Sequence, residues 1–170
     1  MNTILESKYN AEKQALTKLL IESRMLEITY SETFNLIFYK YDNNIEGDDY
    51  KWIIRKMNLI IDAPFWVGKK SKWEECMKDD NGIISMDDNM LAYELVNIRY
   101  NNFIQVHKVE FLEKYLCISL DDDRILSIAY CSDSDYSWIL EECSDKTQQE
   151  KMAIFCQGNE IFSKNIPEII

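Results

Sequence analysis

Glycine, proline and histidine are scarce in this chain of 170 residues, with four, two and one respectively. The glycines stand singly at Gly47, Gly68, Gly82 and Gly158, so no glycine-rich loop is written to cradle a phosphate. So little glycine and proline also leaves no long flexible linker, and residues 1–170 are expected to form a single domain with one core. A lone His107 removes HExxH, and no nucleophile elbow is present. No two of the five cysteines (Cys76, Cys117, Cys131, Cys143, Cys156) are spaced CxxC, so a zinc site would need ligands from distant segments. No apolar run approaches the roughly 18 residues of a membrane span. Residues 1–20 mix Glu, Lys, Asn and Gln among their apolar positions, which is not a secretory signal. A cytoplasmic location with five free thiols is therefore expected.

What is abundant is apolar and acidic. The chain is 46% hydrophobic and carries a net charge of −11. That composition suits a folded domain. The charge argues against nucleic acid or an anionic membrane as partner, since both repel an acidic surface. It permits a basic protein.

The hydrophobic periodicity predicts a helix over residues 3–21, with Leu5, Tyr9, Leu16, Leu19 and Leu20 on one stripe and Thr3 and Glu6 as a capping box. Alternation then predicts strands. Leu26, Ile28 and Tyr30 form one, and Phe34, Leu36 and Phe38 the next, joined by a turn at 31–33. Residues 42–49 read as a loop, 50–61 as a longer strand, and Pro64 as its end or the start of an edge segment. A short helix over 71–78 takes Ser71 as N-cap. Residues 91–100 fit both periods, and strand is the preferred reading. Two or three strands are expected between 104 and 130, with turns at 113–114 and 121–123. Two more follow at 138–141 and 152–156, and residues 157–160 form a tight hairpin turn. The fold class is α+β: an N-terminal helix followed by mainly antiparallel sheet.

A repeat is one reading of two segments, about 24–68 and 105–143. Asp49-Tyr50-Lys51-Trp52-Ile53 matches Asp135-Tyr136-Ser137-Trp138-Ile139, each after an acidic turn and a hairpin. If the repeat is real, the fold is two β-meander halves with the helix over one face. Trp52 and Trp138 are expected in the core, with a partner-binding tryptophan as the sharper alternative.

No residue is assigned a catalytic role, and no enzyme activity, cofactor or metal is expected. His107 falls in a strand on the face opposite Val106 if the pleat is regular, where a lone histidine is usually structural or solvent-facing. Carboxylates are concentrated late in the chain: residues 121–150 hold nine acidic and two basic residues, a net of −7. Clustered carboxylates suit calcium, but Asp133-x-Asp135 lacks the later glycine and glutamate of an EF-hand. Two readings remain, a solvated turn and a docking surface for a basic partner. The docking reading assigns Asp121, Asp122, Asp123, Asp133, Asp135, Glu141 and Glu142 to the contact.

In size, acidity, helix-then-strands order and acidic loops before Tyr-x-Trp-Ile, the chain resembles the immunity proteins of bacterial contact-dependent growth inhibition and related polymorphic toxin systems. The resemblance implies a cytosolic protein that binds a cognate toxin with a basic surface and occludes its active site, often that of a nuclease. The competing expectation is a small-molecule-binding or enzymatic β domain with a pocket between sheet and helix.

Overall fold

The computed structural model describes residues 2–41, 53–79, 82–101 and 104–166, with side chains over 11–41, 55–78, 82–101 and 104–166. Among the described residues ten strands form two sheets. In the six-stranded sheet the order is β1 (Arg24–Tyr30), β2 (Phe34–Tyr41), β3 (Ile53–Ile61), β8 (Trp138–Glu142), β9 (Ala153–Gln157) and β10 (Glu160–Lys164). In the four-stranded sheet it is β4 (Phe65–Lys69), β7 (Arg124–Ala129), β6 (Tyr115–Leu120) and β5 (Val106–Phe111). Every neighbouring pair is antiparallel. The described residues also form three helices: α1 (Asn2–Leu20), α2 (Lys70–Asp79) and α3 (Asp88–Tyr100). The class is α+β, as the sequence implies.

The two sheets share one core. Phe34, Leu36, Phe38, Leu59, Trp138 and Ile154 from the larger sheet meet Val67, Leu116, Ile118, Leu126 and Ile128 from the smaller. Leu16, Leu19 and Leu20 of α1 and Leu91, Leu95 and Ile98 of α3 join the same cluster. α1 lies against β10, β5 and β2, and so reaches both sheets instead of capping one face. Its exit is clipped to the smaller sheet by backbone bonds from Glu22 N to Val106 O and from Val106 N to Ser23 O, each 2.9 Å.

The outer face of the four-stranded sheet is covered as well. Trp73 of α2 and Ile84 pack on Trp66, Tyr115, Cys117, Ile125 and Ala129. The Tyr115 hydroxyl accepts a hydrogen bond from Ile84 N at 2.8 Å, which satisfies a buried backbone donor. Gly68 sits here at φ +151°, and a Cβ on it would meet the Trp66 ring at 3.1 Å, so the close strand–indole contact requires glycine.

Two expectations are corrected. Residues 91–100 are helix α3, not strand. Tertiary packing of Leu91, Leu95 and Ile98, one helical face, decides between the two periods. α2 begins at Lys70, so Ser71 lies inside its first turn and is not the cap. The segments of the proposed repeat fall in different places. The first hairpin, β1–β2, is in the larger sheet and the second, β5–β6, in the smaller, and β7 separates the latter from Trp138. Trp138 is fully buried. The loop over 42–49 and Trp52 lie outside the described residues.

Candidate functional site

Helix α3 is apolar on two opposite sides. Asp87 caps it, its carboxylate accepting from Asn89 N at 2.9 Å and Met90 N at 3.3 Å. At about 100° per residue, Leu91, Leu95 and Ile98 point one way, and Met90, Tyr93, Val96 and Tyr100 point the other. The first set is buried against β1 and β4. The second faces solvent, with Tyr93 64% and Tyr100 75% exposed. Tyr30, at the end of β1, is also exposed, and its hydroxyl donates to Asp88 Oδ2 in the first turn of α3 at 3.3 Å. Burying such side chains against water is what drives most protein association, and tyrosine is enriched where binding energy is concentrated.

Acidic groups flank the stripe. Glu94 Oε2 lies 3.4 Å from Arg124 Nε, and Arg124 also pairs with Asp122. That places the β6–β7 turn, residues 121–123, one ion pair from α3. The turn is held on its other sides by Asp121 N donating to Gln105 O at 3.1 Å and by Lys70 N donating to Asp123 O at 2.9 Å. Two of its aspartates also have conformational reasons to be there. Asp122 Oδ1 accepts from Arg124 N, and Asp123 adopts φ 63°, which aspartate tolerates better than most residues. The carboxylates of Asp121 and Asp123 stand exposed.

The other sequence-assigned acids are not gathered at this surface. Asp133 and Asp135 are exposed on the β7–β8 loop, at the far end of β7. Six strand residues, about 20 Å, separate them from the 121–123 turn. Glu141 lies on the larger sheet between Asn58 and Ala153, and Glu142 pairs with Lys146 at 3.0 Å. The −7 window is thus spread over three places. Sequence reasoning missed Met90, Tyr93, Val96 and Tyr100. The signal was the double periodicity of 91–100 itself: a helix with apolar residues on both faces reads like a strand.

The chemistry available elsewhere is limited. Burial pushes the Cys117 thiol up to about 11 and the Cys156 thiol up to about 12, which keeps both protonated and unreactive at neutral pH. His107 is exposed, with Nδ1 3.9 Å from Asp121 Oδ1. Among the described residues no group of three His, Cys, Asp or Glu side chains is placed to hold a metal ion. A cleft of about 310 Å³ between α1 and β5 is lined by Lys13, Gln14, Thr17, Lys18 and Phe111, and it is broadly open to solvent. Lys13 Nζ stands 5.0 Å from the centre of the Phe111 ring. No helix among the described residues is long and apolar enough to cross a membrane. Comparison with known protein families, curated proteins and solved structures finds no match to this chain.

Proposed function

We propose that this chain is a protein-binding domain that docks a basic partner on the outward face of α3 and the neighbouring 121–123 turn. The observation that carries this reading is the stripe of Met90, Tyr93, Val96 and Tyr100, four large apolar side chains in solvent on one helix face. An exposed apolar patch rimmed by charge is the usual form of a binding surface. The aromatic groups supply affinity, and the carboxylates steer a cationic partner and raise its association rate. In an immunity protein the partner is a toxin domain whose basic, substrate-binding groove is filled by this acidic surface.

The test takes the protein encoded beside this gene as the candidate toxin, produced as an inactive variant for binding and in its native form for growth protection. The chain is expected to bind it and to restore growth. Tyr93→Ala with Tyr100→Ala should weaken binding at least about tenfold. Neutralising Asp121, Asp122 and Asp123 to Asn should slow association and flatten its salt dependence while leaving dissociation nearly unchanged. Binding and protection that survive all five substitutions would overturn the assignment of this surface. A chain that neither binds nor protects would overturn the immunity reading.

A further inference from the structure

Strand β10 ends the six-stranded sheet, and its five residues, Glu160-Ile-Phe-Ser-Lys164, divide cleanly between two faces. Ile161 and Ser163 face inward. Ile161 is buried, and the Ser163 hydroxyl donates to Glu12 Oε1 at 2.9 Å. Glu160, Phe162 and Lys164 share the outer face. There Phe162 stacks on Phe155 with ring centres 5.6 Å apart, and Tyr136 meets Phe155 edge-on at 5.4 Å. This row of three rings runs across the sheet to its edge and stops at Phe162, which remains 37% exposed.

The backbone at that edge has a definite hydrogen-bonding parity. β9 and β10 are joined by the two-residue turn Gly158-Asn159, with Gln157 opposite Glu160. In such a hairpin the residues flanking the turn are a hydrogen-bonded pair, and such pairs recur at every second residue. Phe155 and Phe162 are then the next bonded pair, so the N–H and C=O groups of Ile161 and Ser163 point away from β9. No other described strand takes them.

We propose that a second copy of this chain pairs with β10, antiparallel and centred on Phe162, to join two six-stranded sheets into one. The strand is complementary to itself about that centre. Ile161 of each copy falls opposite Ser163 of the other, and those are the residues whose backbone groups face outward. Phe162 meets its own symmetry mate as a non-bonded pair, the closer of the two antiparallel geometries, which joins the two aromatic rows. Glu160 falls opposite Lys164 of the second copy, so both ends of the junction place unlike charges together. Lys164 Nζ already donates to Gln148 O at 2.7 Å, and an ammonium group carries three protons. The pairing cannot extend far, because Gly158 (φ 59°) and Asn165 (φ 54°) turn the chain at either end. The contact is therefore small, and the dimer is expected to exchange with monomer. This junction uses β10 and the aromatic row, and it does not depend on the role assigned to α3.

Sedimentation velocity of the full chain from micromolar to millimolar concentration tests the proposal. The weight-average mass should rise from 20.2 kDa towards twice that value. Glu160→Lys and Lys164→Glu should each weaken dimerisation about tenfold, since each brings like charges together at both ends. The double variant E160K/K164E should restore it to within about threefold of the parent. Phe162→Ala, which leaves the charges intact, should also weaken it. Circular dichroism checks that every variant keeps the parent fold. A parent chain that stays monomeric throughout, single swaps that dimerise like the parent, or a double swap that fails to recover would each overturn the proposal.

Discussion

The two sheets solve different problems with similar strands. In the four-stranded sheet, β6 is buried at all six positions and β7 at five of six, because the larger sheet covers one face and α2 with Trp73 covers the other. In the six-stranded sheet, β2 alternates: Phe34, Leu36 and Phe38 are buried, and Asn35, Ile37 and Tyr39 are half-buried. Its outer face holds Ile60, Ile139 and Phe155 at intermediate exposure. Continuous burial marks a strand covered on both sides, and alternation marks one covered on a single side. The smaller sheet is accordingly covered on both faces, and the larger one leaves its outer face and its β10 edge nearer to solvent.

The sharpest way to break this comparison is to remove the same atoms from each sheet. Ile118→Ala in the covered sheet should destabilise the fold by about 2–5 kcal/mol, because the cavity is closed on all sides. Ile139→Ala on the open face should cost about 1 kcal/mol or less, since water already reaches that side chain. Urea denaturation monitored by tryptophan fluorescence would measure both. Equal losses would mean that the outer face of the larger sheet is as well packed as the interior.

The thiols sharpen the comparison along a pH axis. Cys117 and Cys156 are buried, and Cys76 is exposed on α2. A thiol reagent at mildly alkaline pH should label Cys76 rapidly and leave Cys117 and Cys156 untouched until the protein unfolds. The folded pKa values of these two stand above the ordinary 9.0, so the unfolded chain releases their protons first as pH rises. Their contribution is complete below about pH 9 and is lost as pH climbs towards 11 for Cys117 and 12 for Cys156, by about 1.4 kcal/mol per pH unit for each thiol. Cys117→Ala should flatten that alkaline decline when stability is compared at a series of pH values. An unchanged slope would show that the thiol is not desolvated.

The smallest effect expected separates two tyrosines. Tyr115→Phe removes the acceptor for Ile84 N in the covered sheet and should cost about 1–3 kcal/mol. Tyr136→Phe on the open face keeps the ring against Phe155 and should lie within about 0.5 kcal/mol of the parent. Thermal unfolding of the pair reads the difference directly, and a larger loss for Tyr136 would place a buried partner on its hydroxyl.

Much of this architecture was legible in the residue pattern. The 31–33 turn, the three strands between 104 and 130, and the hairpin at 157–160 all rest on local rules, alternation bounded by turn residues. Pro64 does separate two strands, and β4 after it is an edge strand. His107 is exposed and Val106 buried, but the pleat is not regular there: the register shifts between the Val106–Leu120 and Lys108–Ser119 pairs, and His107 and Lys108 are both exposed. The exposed apolar stripe on α3 was not legible, because its helix was read as a strand. The spread of the acidic window was not legible either: Asp121 and Asp135 are close in sequence, but strand β7 lies between them.

The sequence alone determined the strand alternation, the turns and the α+β class, because each depends on neighbours within a few residues. Only the tertiary structure decided which strands share a sheet, which faces are covered twice, and that residues 88–100 are helical. Those outcomes depend on contacts between distant segments, such as Leu95 of α3 in the same core as Trp138 of β8. Where both faces of a segment are apolar, local period carries no preference, and burial against the rest of the molecule makes the choice.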